Sequence, residues 1–77
     1  MKEKLLGLLQ DVRPDVEFEK EKKLIDDGIL DSFDILTIVQ EMNEAFDIEI
    51  DAGDLEPDNF NTIEAMLELI SKLQEED

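Results

Sequence analysis

One short run of this 77-residue chain, Gly28-Ile29-Leu30-Asp31-Ser32-Phe33-Asp34, sets a hydroxyl where a phosphate would be stabilised. The apolar residues that follow, Ile35, Ile38, Val39, Met42 and Phe46, recur at three- and four-residue intervals, so a helix is predicted from about Ser32 to Phe46. A serine at such a start can do either of two things. Its oxygen can accept a hydrogen bond from an orphan backbone N–H, stabilising the helix by about 1 kcal/mol. If the hydroxyl is reachable, it can instead carry a phosphate ester, favoured there by the helix dipole and the free N–H groups. Position and loop context permit both, and the residues alone leave both open.

The rest of the catalytic repertoire is thin. The chain has no His, Cys, Trp or Tyr, which excludes a Ser-His relay, a thiolate nucleophile and a zinc site of the usual ligands. Carboxylates are plentiful, but no nucleophile-base pair accompanies them, so an enzyme in its own right is not expected. An EF-hand is also disfavoured. In the best loop, starting at Asp47, Gly53 comes one position too late and Asp58 stands where the bidentate Glu belongs. The stretch around Asp27-Gly28 has Lys23 and Ile25 where ligands are required.

The elements that must position Ser32 can be read from hydrophobic spacing. Leu5, Leu8, Leu9 and Val12 share one side of a first helix over Lys2 to Val12, ended by Arg13-Pro14 because the residue before proline avoids helical angles. From Pro14 to Asp31 the pattern is irregular. We expect a long loop tacked down by Val16, Phe18, Leu24, Ile25, Ile29 and Leu30, with a turn at Asp26-Asp27-Gly28; loops of this length are often functional. In the Ser32 helix, Phe33 and Leu36 fall off the main apolar stripe, which suits a second neighbour or a docking edge. Ile48-Glu49-Ile50 reads as an extended connector burying both isoleucines, since no strand is available to pair with it. A single turn or short helix carrying Leu55 and Phe60 should follow. Asn61 is the expected cap of a last helix, with Glu64 three residues on. That helix should bury Ile63, Met66, Leu67, Ile70 and Leu73 and leave Gln74 to Asp77 as a solvated tail. The expected architecture is one all-α domain over residues 1–77, without linker, repeat or low-complexity segment.

Composition agrees with a small helical bundle: 42% hydrophobic, 5% aromatic and 39% charged residues. Twenty-three acids against 7 bases give a net charge of −16. Such a chain is repelled by nucleic acid and anionic lipid, and it suits a partner with a basic patch. No stretch reaches the ~20 apolar residues that span a bilayer, and the apolar run near Met1 is too soon charged for a signal peptide. The lack of cysteine suits a reducing compartment, so a cytoplasmic location is expected; a monomer is expected as well. Self-repulsion at −16 leads to a first prediction: added salt or divalent cations raise the melting temperature. A flat or falling melting temperature across a salt titration would contradict it.

Asp31-Ser32 opening a helix, Phe46-Asp47-Ile48-Glu49-Ile50 at its end and Asn61-Thr62-Ile63 before a last helix together resemble the acyl carrier protein family, from Leu5 to about Ile70. The resemblance implies a four-helix acyl-carrier-like bundle with a long first loop and a short third helix. It also implies that Ser32 is the attachment point of a phosphopantetheine arm, placed there with magnesium by a phosphopantetheinyl transferase. Asp31 would orient that encounter. A separate acyl- or aminoacyl-activating enzyme would load the arm with a thioester. Downstream synthases or acyltransferases with basic patches would dock on Asp34, Glu41, Glu44, Asp47 and Glu49, with Phe33 and Leu36 as apolar contacts beside Ser32.

Two departures bear on cargo. Two residues, Ile29 and Leu30, separate Gly28 from Asp31 where the fatty-acid-synthesis type has one, and Phe33 replaces leucine after the serine. The Gly-Ile-Leu-Asp-Ser form is similar to that of D-alanyl and other stand-alone aminoacyl carriers. These departures leave the cargo open: the expected function is a stand-alone acyl carrier, of fatty-acid or polyketide biosynthesis, with a D-alanyl or other aminoacyl carrier as the alternative. An acidic adaptor carrying no prosthetic group is the rival of a different class.

Overall fold

Leucines spaced three and four apart bury one side of α1, Lys2–Val12, with Leu5 and Leu9 fully enclosed and Leu8 nearly so. The computed structural model describes residues 1–75. After α1 come α2 (Ser32–Phe46), a 3-10 turn (Ala52–Asp54), α3 (Pro57–Phe60) and α4 (Ile63–Glu75), and no strand is present among the described residues. The architecture is the expected all-helical one. α1 ends where proline dictates: Arg13 leaves helical angles at φ −136°, and its N–H still donates to the Leu9 carbonyl at 2.9 Å.

α1 and α2 run antiparallel, and α1 supplies a cation at each end of α2. Lys4 Nζ donates to the Ala45 carbonyl at 2.7 Å and lies 5.4 Å from the Phe46 ring centre, a favourable place for positive charge at a helix C-terminus. Arg13 meets Asp34 at the other end. The buried stripe of α2 is Ile38, Val39, Met42 and Phe46, with Ile35 half-buried above it.

The segment between α1 and α2 is a long loop pinned by Val16, Phe18, Leu24 and Leu30, all buried. It turns at Gly28, whose φ of +72° is a region that side chains disfavour. Beyond α2, Asp47 closes the helix in the left-handed conformation, and Ile48 and Ile50 are buried on either side of exposed Glu49 without forming a strand.

Three expectations need correction. The stretch after Asp51 forms both a 3-10 turn and a short helix, because Pro57 starts a new helix at its first position and holds Glu56 extended. Phe60 is buried as expected, but Leu55 lies between the two elements and is 39% exposed. Second, the α4 cap is Thr62: its Oγ1 accepts from Ala65 N–H at 3.0 Å. Asn61 is drawn inward, only 8% exposed, to serve the first loop. Third, α4 buries Leu69 along with Ile63, Met66 and Ile70, leaving Leu67 and Leu73 half-buried. α4 extends through Glu75, and Gln74 donates to the Phe46 carbonyl; the remainder of the expected tail lies outside the described residues.

Asn61 acts as a clasp. Its Oδ1 accepts from Ile25 N–H at 2.9 Å and Asp26 N–H at 3.1 Å, its Nδ2 donates to Asp26 Oδ2 at 3.1 Å, and its carbonyl accepts from Leu24 N–H. One buried amide thus fastens the loop leading to Ser32 onto the start of α4.

Candidate functional site

The first turn of α2 shows which side chain caps the helix. The cap is Asp31: its Oδ1 accepts from Asp34 N–H at 2.9 Å, and Asp34 Oδ2 reciprocates toward Asp31 N–H at 3.3 Å. This is a reciprocal capping box. Ser32 is therefore the first helical residue, and its hydroxyl lies outside the capping hydrogen bonds. It is exposed, as is Asp31. With Ile35 N–H bonded to the Asp31 carbonyl, the amides of Ser32 and Phe33 are left at the positive end of a fifteen-residue helix.

Apolar surface surrounds the hydroxyl. An open depression of about 480 Å³ beside Ser32 is lined by Leu30, Ile35, Leu36, Ile25 and Leu55, and it adjoins a smaller hollow bounded by Pro57 and Phe60. Phe33 is 81% exposed and Leu36 54%, large values for side chains of this kind.

The acidic residues expected to share a docking face divide into two groups. Glu41, Glu44, Asp47 and Glu49 are exposed. By helical spacing, Phe33, Leu36, Glu44 and Asp47 fall along the solvent side of α2 leading away from Ser32, with Glu41 on the flank and Glu49 on the connector beyond. Asp34 is different: its side chain is only 16% exposed and is engaged by Arg13 and by the Asp31 amide. Its charge is largely compensated within the molecule.

Arg13 was not evident from the sequence. Its Nη1 donates to Asp34 Oδ2 and, at 3.1 Å, to the Ile29 carbonyl, while Nε and Nη2 fork onto Asp15 at 3.1 and 3.0 Å. The hydrogen bonds that Arg13 donates, to Asp15 first and to Asp34 second, push the guanidinium still higher, and Arg13 holds the Asp15 carboxyl below its ordinary value. The signal that could have found it is distributional. The first 23 residues hold six bases and six acids, whereas residues 24–71 hold fourteen acids and no Lys or Arg. Any cation at the Ser32 turn must therefore come from outside that stretch.

Among the described residues no group of acidic or other ligating side chains could hold a metal ion, and no helix is long and apolar enough to cross a membrane.

Comparison with known proteins fits this geometry. The family described as "Phosphopantetheine attachment site" matches residues 3–70. D-alanyl carrier proteins of Bacillus cereus and Bacillus anthracis are each 28% identical over 75 residues, covering 95% of both chains. The residues present suit the prosthetic group: an exposed hydroxyl, uncommitted amides at a helix N-terminus for a phosphodiester, and apolar surface alongside for the arm. An all-helical bundle matched by that family over nearly its whole length belongs to the phosphopantetheine-dependent carrier proteins, whose prosthetic group is covalently attached.

Proposed function

We propose that the chain is a carrier that bears phosphopantetheine on Ser32, holds an aminoacyl group on it and delivers that group to partner enzymes. The observation that carries this reading is the position of Ser32 as an exposed first helical residue whose capping work is done by Asp31. The arm supplies the thiol that this cysteine-free chain lacks, on a tether that carries cargo as a thioester. The protein's own residues present the hydroxyl and complement its partners. Asp31 fixes the helix start and so orients Ser32 toward the transferase. Phe33 and Leu36 offer apolar contacts beside it, and Glu41, Glu44, Asp47 and Glu49 attract basic patches.

An aminoacyl cargo, with D-alanine first among candidates, is supported by the Gly28-Ile29-Leu30-Asp31-Ser32 form and by similarity to D-alanyl carrier proteins along 95% of both chains. The test has two stages. Incubation with coenzyme A, magnesium and a broad-specificity phosphopantetheinyl transferase should add one arm by intact mass. The product is then offered to D-alanine-, other amino-acid- and fatty-acid-activating enzymes. Loading by a fatty-acid enzyme alone would overturn the aminoacyl assignment, and refusal of the arm from every transferase would return the chain to an acidic adaptor.

Docking gives a second prediction. Glu44 is twelve residues beyond Ser32, roughly 18 Å along the helix, so reversing its charge touches association and leaves the hydroxyl alone. Glu41→Lys with Glu44→Lys should lower kcat/KM with the activating enzyme about tenfold at low salt, mainly through KM, with the deficit shrinking as salt rises. Unchanged kinetics at low salt would remove these residues from the docking face.

A further inference from the structure

We propose that Arg13 is a positioning residue for modification of Ser32: from the end of α1 it locks the turn that presents the hydroxyl, holding the chain on both sides of the serine. The proposal rests on the reading of Ser32 given above. One guanidinium nitrogen, Nη1, holds the Ile29 carbonyl, three residues before Ser32, and the Asp34 carboxylate, two residues after it. Asp34 in turn completes the capping box with Asp31. The other side of the fork is held by Asp15, and Arg13 N–H is anchored to the end of α1. The serine thus sits on a short segment fixed at both ends to one planar group, a geometry that a lysine ammonium on a flexible stem does not reproduce.

Charge makes the contact more consequential. Residues 24–71 contain no base, so without Arg13 the Asp31 and Asp34 carboxylates would flank Ser32 with no cation from their own part of the chain. Two such carboxylates repel an arriving phosphate group. Arg13 neutralises Asp34 and leaves the helix amides to dominate that end.

Two variants separate positioning from stability. Arg13→Ala removes the contacts to both Asp34 and Asp15, whereas Asp15→Asn weakens only the half of the fork that faces away from Ser32. Transfer from coenzyme A is measured at a temperature where circular dichroism shows every variant folded. Amide exchange at Asp34 is followed in parallel on the unmodified proteins.

Arg13→Ala should lower kcat of transfer about tenfold, as expected when a reacting group is misplaced by a distant change, with KM changed by less than about twofold because the α2 docking face is intact. Arg13→Lys should recover only part of the loss. Asp15→Asn should leave kcat within about twofold of the parent. Asp34 exchange should quicken in Arg13→Ala and not in Asp15→Asn. A modified parent protein with equal kcat in Arg13→Ala and Asp15→Asn, or with unaltered Asp34 exchange in Arg13→Ala, overturns the positioning role while leaving the Ser32 assignment intact. A parent protein that takes no arm overturns the Ser32 assignment itself, and the proposal with it.

Discussion

Ser32→Ala is expected to abolish the mass gain that the parent chain shows after incubation with coenzyme A and a phosphopantetheinyl transferase, while leaving the fold and its melting temperature nearly unchanged. Both halves follow from the first turn of α2. Were Ser32 the cap, alanine there would cost the helix about 1 kcal/mol, and loss of modification could be blamed on a frayed end. The cap is instead Asp31, whose carboxylate holds Asp34 N–H at 2.9 Å, and Ser32 follows it as an exposed first helical residue. Alanine is a good helix former and fills no space the serine was using, so the stability change should stay within about 0.5 kcal/mol. Loss of the arm in a protein of unchanged melting temperature then reports on the hydroxyl alone. Undiminished mass gain in Ser32→Ala would place attachment at another hydroxyl, Thr37, Thr62 or Ser71.

Asp31→Ala provides the contrast. It should lower the melting temperature by roughly 5 °C through loss of the cap, since about 1 kcal/mol corresponds to 4–8 °C in a domain of this size. It should not remove the modified atom. The neighbouring substitutions at residues 31 and 32 thus separate stability from chemistry.

Most of the fold is legible in the sequence because it depends on local spacing. The α1 and α2 boundaries follow from an apolar stripe meeting a proline in one case and an Asp-Ser start in the other, and both agree with the structure to the residue. The long loop is legible for the same reason: its apolar residues follow no period, yet Val16, Phe18, Leu24 and Leu30 are still drawn into the core. What is not legible depends on contacts between distant residues. Arg13 and Asp34 are 21 positions apart, and nothing in a one-dimensional pattern pairs them, so Asp34 reads as one more surface acid. Asn61 is misread through an excess of plausible local signals. Asn61 and Thr62 can both cap a helix, and the choice of Thr62 is set by the distant loop amides of Ile25 and Asp26, which claim the asparagine. A closer reading of Asp31-x-x-Asp34 as a reciprocal cap would have freed Ser32 from the capping role without a structure.

The Asn61 clasp carries the last prediction, a charge swap across the loop. Asn61→Asp keeps an oxygen for the Ile25 and Asp26 amides but replaces the Nδ2 donor to Asp26 Oδ2, 3.1 Å away, with a second carboxylate in a place only 8% exposed. Placing an uncompensated charge beside a like charge in a partly buried site should cost about 2 kcal/mol or more, roughly 10 °C in melting temperature for a domain of this size. Asp26→Asn alone removes the charge but keeps an amide oxygen to accept from Asn61 Nδ2, so its cost should be well under half as large. Combined, the two substitutions restore a donor on one side and an acceptor on the other, with the amide now donating from the loop and the carboxylate accepting at the start of α4. The double variant should recover most of the loss, and a coupling energy of about 1 kcal/mol or more is expected from the double-mutant cycle. Simple additivity would show that the amide-carboxylate contact contributes little and that the loop is held by its buried apolar residues instead. If the clasp matters for presentation as well as stability, the single Asn61→Asp variant should accept the arm more slowly even at a temperature where it is folded, since the loop it releases runs directly into Asp31 and Ser32. The double variant should regain that rate together with its melting temperature.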